Sequence, residues 1–283
     1  MKVFTTHQAL QKALAPLREA NSTLGFVPTM GALHVGHLSL IQKALQENDV
    51  VVVSVFVNPT QFNNALDLAK YPRPLAQDLD TLKALNTSKI LVYTPEVDDI
   101  YGAFVSKKTF DFGALAHQME GKFRSGHFDG VGTVVQRLLE IVQPHFAYFG
   151  EKDFQQLAIV KKLVQLIKSP VQIVGCPIAR AQNGLALSSR NARLTNDEQN
   201  DAAKIYRVLQ SVKEKFGTEN AIKIKEWVTH QFKYDPILSL EYFEISDAET
   251  LISARTINPS TKYRAFIAAY IRDVRLIDNI ALN

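Results

Sequence analysis

The stretch GFVPTMGALHVGH (25–37) decides the reading. Gly25-Phe26-Val27 is apolar and reads as a buried strand, and His34 to Asn48 reads as the helix that follows. Gly31 and Gly36 bracket a tight turn between them. Glycine there lets backbone N–H groups come close to a phosphate, and a helix N-terminus favours an anion. His34 and His37 lie three positions apart, a spacing that puts both imidazoles on one helix face. Two such rings can donate hydrogen bonds to phosphate oxygens and stabilise charge building on a reacting phosphorus. A bare H-x-x-H says little by itself. The strand–turn–helix setting is what gives it weight.

Two further fragments repeat the arrangement. VNPTQF (57–62) ends the β-branched run Val50 to Val57, and GEKDFQQ (150–156) follows the apolar run Phe146 to Phe149. In an open parallel sheet, ligands sit outside the carboxyl ends of the strands, so three polar clusters at three strand ends converge on one pocket. The surrounding pattern agrees. Leu75 to Leu85 reads as a helix, Ile90 to Tyr93 as a strand, Thr133 to Val142 and Phe154 to Lys168 as helices, and Val171 to Val174 as a strand. Such alternation argues for an α/β fold with a doubly wound parallel sheet. After Arg190 the pattern changes. Thr195 and Glu198 have capping-box spacing ahead of a helix to about Phe216, and a second helix runs from Glu219 to Phe232. Leu238 to Ile245 and Tyr263 to Ile271 then read as strands. This predicts two domains, 1–178 and a smaller α+β domain 179–283.

Composition narrows the function class. The chain has 283 residues, 46% hydrophobic and 21% charged, as expected of a globular protein with a large core. Its single cysteine, Cys176, excludes an internal disulfide framework or a cysteine-built zinc site. His34 and His37 would need a third zinc ligand, and His127 and the carboxylates offer no diagnostic spacing. The N-terminus MKVFTTHQAL does not read as a signal peptide, and Val50 to Val57 is too short to span a bilayer. A cytoplasmic protein without a membrane partner is expected. The formal charge is +4, an excess that could attract anionic substrates such as nucleotides as readily as a polynucleotide; Lys and Arg are scattered rather than gathered in a stripe, and no nucleic-acid partner is expected.

The remaining candidates are ambiguous one by one. Asn58 either closes a turn or meets a substrate, and Gln61, one turn on, leans toward function. Lys152 sits where a cation could meet phosphates. Asp153 could cap the helix, hold Lys152 or hold magnesium. Gln156 lies near the end of that first turn. In GLALSSRN (184–191), Ser188, Ser189 and Arg190 are either a phosphate clamp or an interdomain linker. EGKFRSGHFDGVGT (120–133) reads as a glycine-rich mobile loop in which Arg124 and His127 face an anion or serve the loop. Tyr71 and Arg73 belong to a proline-bounded turn, KYPRP (70–74), a possible pocket wall.

Taken together, VPTMGALHVGH, VSVFVNPTQF, KYPR, EGKFRSGHFDGV, QPHFAYFGEKDFQQL and GLALSSRN closely resemble the pantothenate synthetase (pantoate–β-alanine ligase) family, in order across most of residues 24–195. RDVRLIDN (272–279) resembles that family's C-terminal end. The resemblance implies a Rossmann-like domain with a small C-terminal lid domain, usually as a homodimer. It implies two steps: pantoate's carboxylate attacks the α-phosphorus of Mg2+-bound ATP, and the amine of β-alanine then displaces AMP. By motif, Met30, Gly31, Ala32, Leu33, His34, Val35, Gly36 and His37 would contact ATP, as would Gly150, Glu151, Lys152 and Asp153. Ala179 would meet the adenine side, with Leu187, Ser188, Ser189 and Arg190 also holding ATP. Lys152 joins His34 and His37 as catalytic, and Asp153 would meet the magnesium. The family assigns His37 as proton donor. Charge stabilisation suits both histidines better, because a carboxylate nucleophile has no proton to lose at neutral pH. Gln61 and Gln156 would bind pantoate, with Asn58, Tyr71 and Arg124 as secondary contacts, and Gln61 would also touch β-alanine.

Asn183, Ser125 and Leu66 depart from the family pattern, where Asp, Pro and an acidic residue are common. Two other readings share parts of the signal. A nucleotidyltransferase acting on a phosphorylated alcohol would need a cationic acceptor site, whereas Asn58, Gln61 and Gln156 are neutral. A relative of class I aminoacyl-tRNA synthetases would need a basic stripe and more chain.

Overall fold

The computed structural model describes residues 1–63 and 65–283. They form two compact units. The first holds residues 1–112, 124–151 and 156–177, and the second holds 113–123, 152–155 and 178–283. The second unit thus takes two short segments from within the first part of the chain.

The first unit is built on strands β1 (Lys2–Phe4), β2 (Leu24–Thr29), β3 (Val50–Val55), β4 (Ile90–Tyr93), β5 (Phe146–Gly150) and β6 (Gln172–Cys176). They make a six-stranded sheet in the order β1-β4-β3-β2-β5-β6, and every pairing is parallel. From β2 the chain steps outward through β3 to β4. It then returns to the other side of β2 for β5 and β6. The direction reverses between β2 and β5, the kind of switch point outside whose strand carboxyl ends ligands bind in open α/β sheets. The β3 run Val50–Val55 is valine but for Ser54 and buried in its middle, as a strand covered on both faces must be.

Helices α1 (His7–Glu19), α2 (Val35–Glu47), α3 (Ala65–Lys70), α4 (Leu75–Lys83) and α5 (Val97–Tyr101) belong to this unit. Helix α6 (Met119–Phe123) belongs to the second unit, α7 (His127–Val142) to the first, and α8 (Phe154–Leu166) begins with two residues of the second unit. The core of the first unit joins Val27, Val51, Val53 and Val92 from the sheet with Ile41 and Ala44 of α2 and Leu82 of α4, all essentially inaccessible.

The expected mobile loop at 120–133 is instead largely helical, as α6 and the start of α7. Its glycines mark close packing rather than freedom. A Cβ on Gly130 would lie 2.2 Å from the carbonyl oxygen of Thr60, so α7 rests directly on the backbone after β3.

The second unit carries α9 (Asn196–Ala202), α10 (Lys204–Lys215), α11 (Ala221–Lys233) and an antiparallel sheet of β7 (Leu238–Asp247), β8 (Tyr263–Ile271) and β9 (Val274–Ala281), in the order β7-β8-β9. The capping box is formed: Thr195 Oγ1 accepts from the Glu198 N–H and Glu198 accepts from the Thr195 N–H. The single helix expected to Phe216 is two, divided at Ala203. Leu209, Val212, Ile224 and Val228 pack with Ala265, Ile267 and Ala269 as its core.

Candidate active site

The turn after β2 is built by its own residues. His34 is the N-cap of α2 rather than a residue inside it, with extended backbone (φ −135°). Its Nδ1 accepts the Gly36 N–H at 3.1 Å, while the Nδ1 of His37 accepts the His34 N–H at 3.3 Å. The two ring centroids are 4.1 Å apart. A neutral imidazole that accepts at Nδ1 carries its proton on Nε2. Both rings therefore turn an Nε2–H donor away from the helix, beside the positive end of its dipole. Ahead of them Gly31 is left-handed (φ +79°) and Ala32 is too (φ +50°). That conformation is held by Asp78 of α4, whose carboxylate accepts the Ala32 and Leu33 N–H groups at 2.9 and 2.7 Å. Thr29 Oγ1 accepts the Gly31 N–H and donates to the Ser54 carbonyl, tying β2 to β3 at their ends.

After β3, Pro59–Gln61 form one turn of 3-10 helix. Asn58 is 1% exposed. Its Oδ1 accepts from the Thr60 N–H, the Thr60 hydroxyl and the Tyr101 hydroxyl, and its Nδ2 donates to the Gly130 carbonyl and Gln61 Oε1. The Asn58 amide is thus hydrogen-bonded at both ends to protein partners, one of them Gln61. Gln61 Nε2 donates to Met30 Sδ at 2.6 Å, which joins the turns after β2 and β3. Arg124 and His127 both engage the Gln61 carbonyl, at 3.3 and 2.8 Å, and clamp the backbone of this turn. Tyr71 is buried and meets Phe62 edge-on, with ring centroids 5.6 Å apart.

The first unit thus brings together Met30, His34, His37, Asn58, Gln61 and Arg124. At the end of neighbouring β5, a Cβ on Gly150 would meet nothing within 4 Å, so the backbone there faces open space. Glu151 follows it, and Gln156 is half-buried in α8. Gln155, one residue earlier, is the buried one, and its amide is used up by Glu120 N–H and the Leu115 and Gln118 carbonyls.

The second unit holds the other candidates. Lys152 Nζ is 3.7 Å from Asp153 Oδ1. The Lys152 carbonyl accepts from Asn279 Nδ2 at 2.9 Å, and Asn279 in turn is held by Arg264. Asn279 is 2% exposed, and its neighbour Asp278 makes a two-pronged ion pair with Arg180. Burial pushes the Asp278 carboxyl up even against that partner. Sequence reasoning misses this support of the Lys152 backbone, although two of these residues fall within RDVRLIDN, the one signal that could have found them. Ala179 and Leu187 face each other, the Leu187 N–H donating to the Ala179 carbonyl. Ser188 Oγ caps the 3-10 turn Ser189–Arg193 by accepting the Arg190 N–H, and donates to Asn191. Asn183 explains its own departure: Oδ1 accepts the Leu185 N–H while Nδ2 donates to the Gln199 carbonyl, which an aspartate could not do.

No cluster of three or more His, Cys, Asp or Glu suited to a metal ion occurs among the described residues. Magnesium needs only one or two carboxylates when phosphates supply its other ligands, so Asp153 is compatible with an ion arriving on a nucleotide. No helix among the described residues is long and apolar enough to cross a membrane.

A doubly wound sheet whose switch point carries paired imidazole donors on a helix N-terminus defines an α/β protein made for phosphate chemistry at a strand end. The family model for pantoate-β-alanine ligase matches residues 2–281, and the chain belongs to that family. It is 54% identical to the pantothenate synthetase of Flavobacterium psychrophilum over 282 residues, covering all of both chains. The pantothenate synthetase of Christiangramia forsetii is 52% identical, again over the full length of both. Among solved structures, the pantothenate synthetase of Thermus thermophilus superposes with a TM-score of 0.88 at 38% identity, covering 100% of this chain and 99% of that one. The pantoate-β-alanine ligase of Francisella tularensis, solved with β-γ ATP and β-alanine, gives 0.79 at 38% identity, covering 100% and 98%.

Proposed function

We propose that this chain condenses pantoate with β-alanine, driven by ATP, through a pantoyl adenylate. In the first step a pantoate carboxylate oxygen bonds to the α-phosphorus and pyrophosphate leaves. In the second, the amine of β-alanine bonds to the acyl carbon, AMP leaves with the carboxyl oxygen, and the amine's protons pass to solvent. The observation that carries the reading is the pair of Nδ1 atoms accepting from backbone N–H groups at the start of α2, which commits both rings to donate through Nε2. Fixed donors of this kind stabilise charge as it develops on the phosphorus without having to reorganise.

The other roles follow the motif assignments. His34 and His37 stabilise charge, Met30 to His37 and Gly150 to Asp153 hold ATP, and Lys152, Ser188 and Arg190 take its phosphates. Ala179, Leu187 and Ser189 complete the nucleotide contacts. Gln61 and Gln156 hold pantoate, with Tyr71 nearby. The backbone clamp on Gln61 supports a positioning role for Arg124, as the buried amide does for Asn58. Asp153 would hold the Mg2+ that accompanies ATP, which would offset negative charge on the phosphates. Water must be kept from the acyl adenylate between the steps. The reading also carries a homodimer, which sedimentation would test, and a cytoplasmic location.

Incubating the protein with ATP, Mg2+, pantoate and β-alanine should give AMP and pantothenate by mass spectrometry. Without β-alanine, pyrophosphate release should stop near one equivalent and leave a bound adenylate. Release that ignores pantoate, or that follows a phosphorylated alcohol, would overturn the reading. His34→Ala should slow pyrophosphate release by roughly 100-fold, the usual cost of losing one fixed donor.

A further inference from the structure

Both substrates of the proposed reaction carry a carboxylate, so the site must choose which acid meets the α-phosphorus. Gln61 is the residue assigned to the pantoate side, and its amide is not free to choose its orientation. The reason lies in a one-way chain of hydrogen bonds behind it. The Thr60 N–H can only donate, and it points at Asn58 Oδ1 at 3.3 Å. The Gly130 carbonyl can only accept, and it faces Asn58 Nδ2 at 3.2 Å. These two backbone groups set which end of the Asn58 amide is which. The Tyr101 hydroxyl then donates to the same Oδ1 at 2.5 Å and strengthens the setting. Asn58 Nδ2 also donates to Gln61 Oε1 at 3.2 Å, so the Gln61 oxygen is turned inward. The Gln61 nitrogen is thereby turned toward Met30, at the head of the phosphate-binding turn.

We infer that Tyr101, by reinforcing the Asn58 amide that the Thr60 N–H and Gly130 carbonyl orient, is a positioning residue that helps Gln61 present N–H donors to the acid site, so that it accepts the oxygens of a hydroxy acid and turns away an ammonium. The inference rests on the proposed reaction. Pantoate offers hydroxyl and carboxylate oxygens to such a donor. β-Alanine has a carboxylate that the same donor can meet, in keeping with the assignment of Gln61 to both acids, but where pantoate has hydroxyls it has only an ammonium, which can only donate and finds no acceptor at this end of Gln61. A site whose buried groups are left unmatched rejects the wrong ligand strongly. Tyr101 suits the task because it is itself fixed. It is 9% exposed and its hydroxyl also meets Thr60 Oγ1 at 3.1 Å. Burial holds the phenol above its usual range, so it stays a donor at neutral pH.

The decisive variant is Asn58→Asp, which keeps the shape and the acceptor for Thr60 and Tyr101 but replaces the donor toward Gln61 and the Gly130 carbonyl by an acceptor. Gln61 should then turn its nitrogen inward and its oxygen out. KM for pantoate should rise by about 30-fold or more, the scale of a mismatched hydrogen bond in a built site, with KM for ATP within twofold. β-Alanine should begin to compete with pantoate in the first step. Tyr101→Phe removes only the hydroxyl and should raise the pantoate KM by about 3- to 10-fold with little change in kcat. Both variants are checked for folding by circular dichroism and thermal melting. Should Asn58→Asp fail to fold, Tyr101→Phe decides alone. A pantoate KM within twofold of wild type in every folded variant overturns the inference. The side-chain amide resonance of Gln61 gives a readout independent of turnover: it should shift in Tyr101→Phe, and an unmoved resonance also overturns the relay. A wild-type protein that ignores pantoate altogether sinks the proposed function instead, and the resonance still decides the relay.

Discussion

The turns after β2 and β5 hold their functional groups by opposite means. His34 and His37 are oriented by N–H groups two and three residues away, on the first turn of their own helix. The loop bearing Lys152 is anchored by Asn279, 127 residues further along the chain, in the last strand of the second unit's own sheet. The first arrangement forms wherever the segment itself folds. The second exists only once β8 and β9 have paired and Arg264 has fixed the Asn279 amide. Asp78 shows an intermediate case, a remote carboxylate that completes an otherwise local turn.

Four experiments would break or sharpen this contrast. The largest effect should come from Lys152→Ala, with pyrophosphate release in the presence of pantoate falling by about 100- to 1000-fold while the thermal transition stays near wild type. Release at the normal rate would remove Lys152 from the comparison. Asp78→Ala removes the acceptor from two half-buried backbone N–H groups, each hydrogen bond worth about 1 kcal/mol, so the chain should lose roughly 2 kcal/mol in urea unfolding. A loss under about 1 kcal/mol would mean that the turn after β2 needs no remote anchor. Asn279→Ala should cost about 1 kcal/mol of stability and about tenfold in kcat, with ATP-dependent changes at the histidine turn preserved. Equal damage at both turns would dissolve the distinction.

The smallest effect concerns the second unit in acid. The Glu198 carboxyl is held below its usual range first by the Thr195 N–H and then by Arg272. A depressed carboxyl contributes stability that is fully present above its unfolded value, near 4.5, and is lost as pH falls through the lower folded value. Glu198→Gln should therefore lower the urea midpoint slightly at pH 7 and flatten its decline below pH 4.5. Parallel curves for the two proteins would show that the capping box adds nothing through charge.

The parts of the fold that the chain announces are those with strong local periodicity. β4 and β8 fall on the expected residues, and β2, β3, β5, β6 and α2 differ only at their ends. β9 escapes a sequence reading because Asp278 and Asn279 interrupt its apolar pattern. Both are buried there, engaged by Arg180 and Lys152. The helical character of 127–133 is hidden for the opposite reason. Gly130 and Gly132 read as flexibility, whereas they are what lets α7 come against Thr60 and Phe110. Tyr101 gives no signal at all, since nothing nearby in sequence indicates that its hydroxyl reaches Asn58, 43 positions away.

By itself, the amino-acid sequence settled which strand ends carry polar groups, that the sheet is parallel, and that two imidazoles sit at a helix start. Those features depend on hydrophobic period, glycine placement and capping, all of which act within a few residues. Only the tertiary structure decided which amides are used up inside the protein and which face outward. It also decided which unit carries Lys152, and which backbone groups fix the two ends of the Asn58 amide beside Gln61. A hydrogen bond's direction depends on the donor or acceptor that arrives from elsewhere in the chain, and folding alone brings that partner into place.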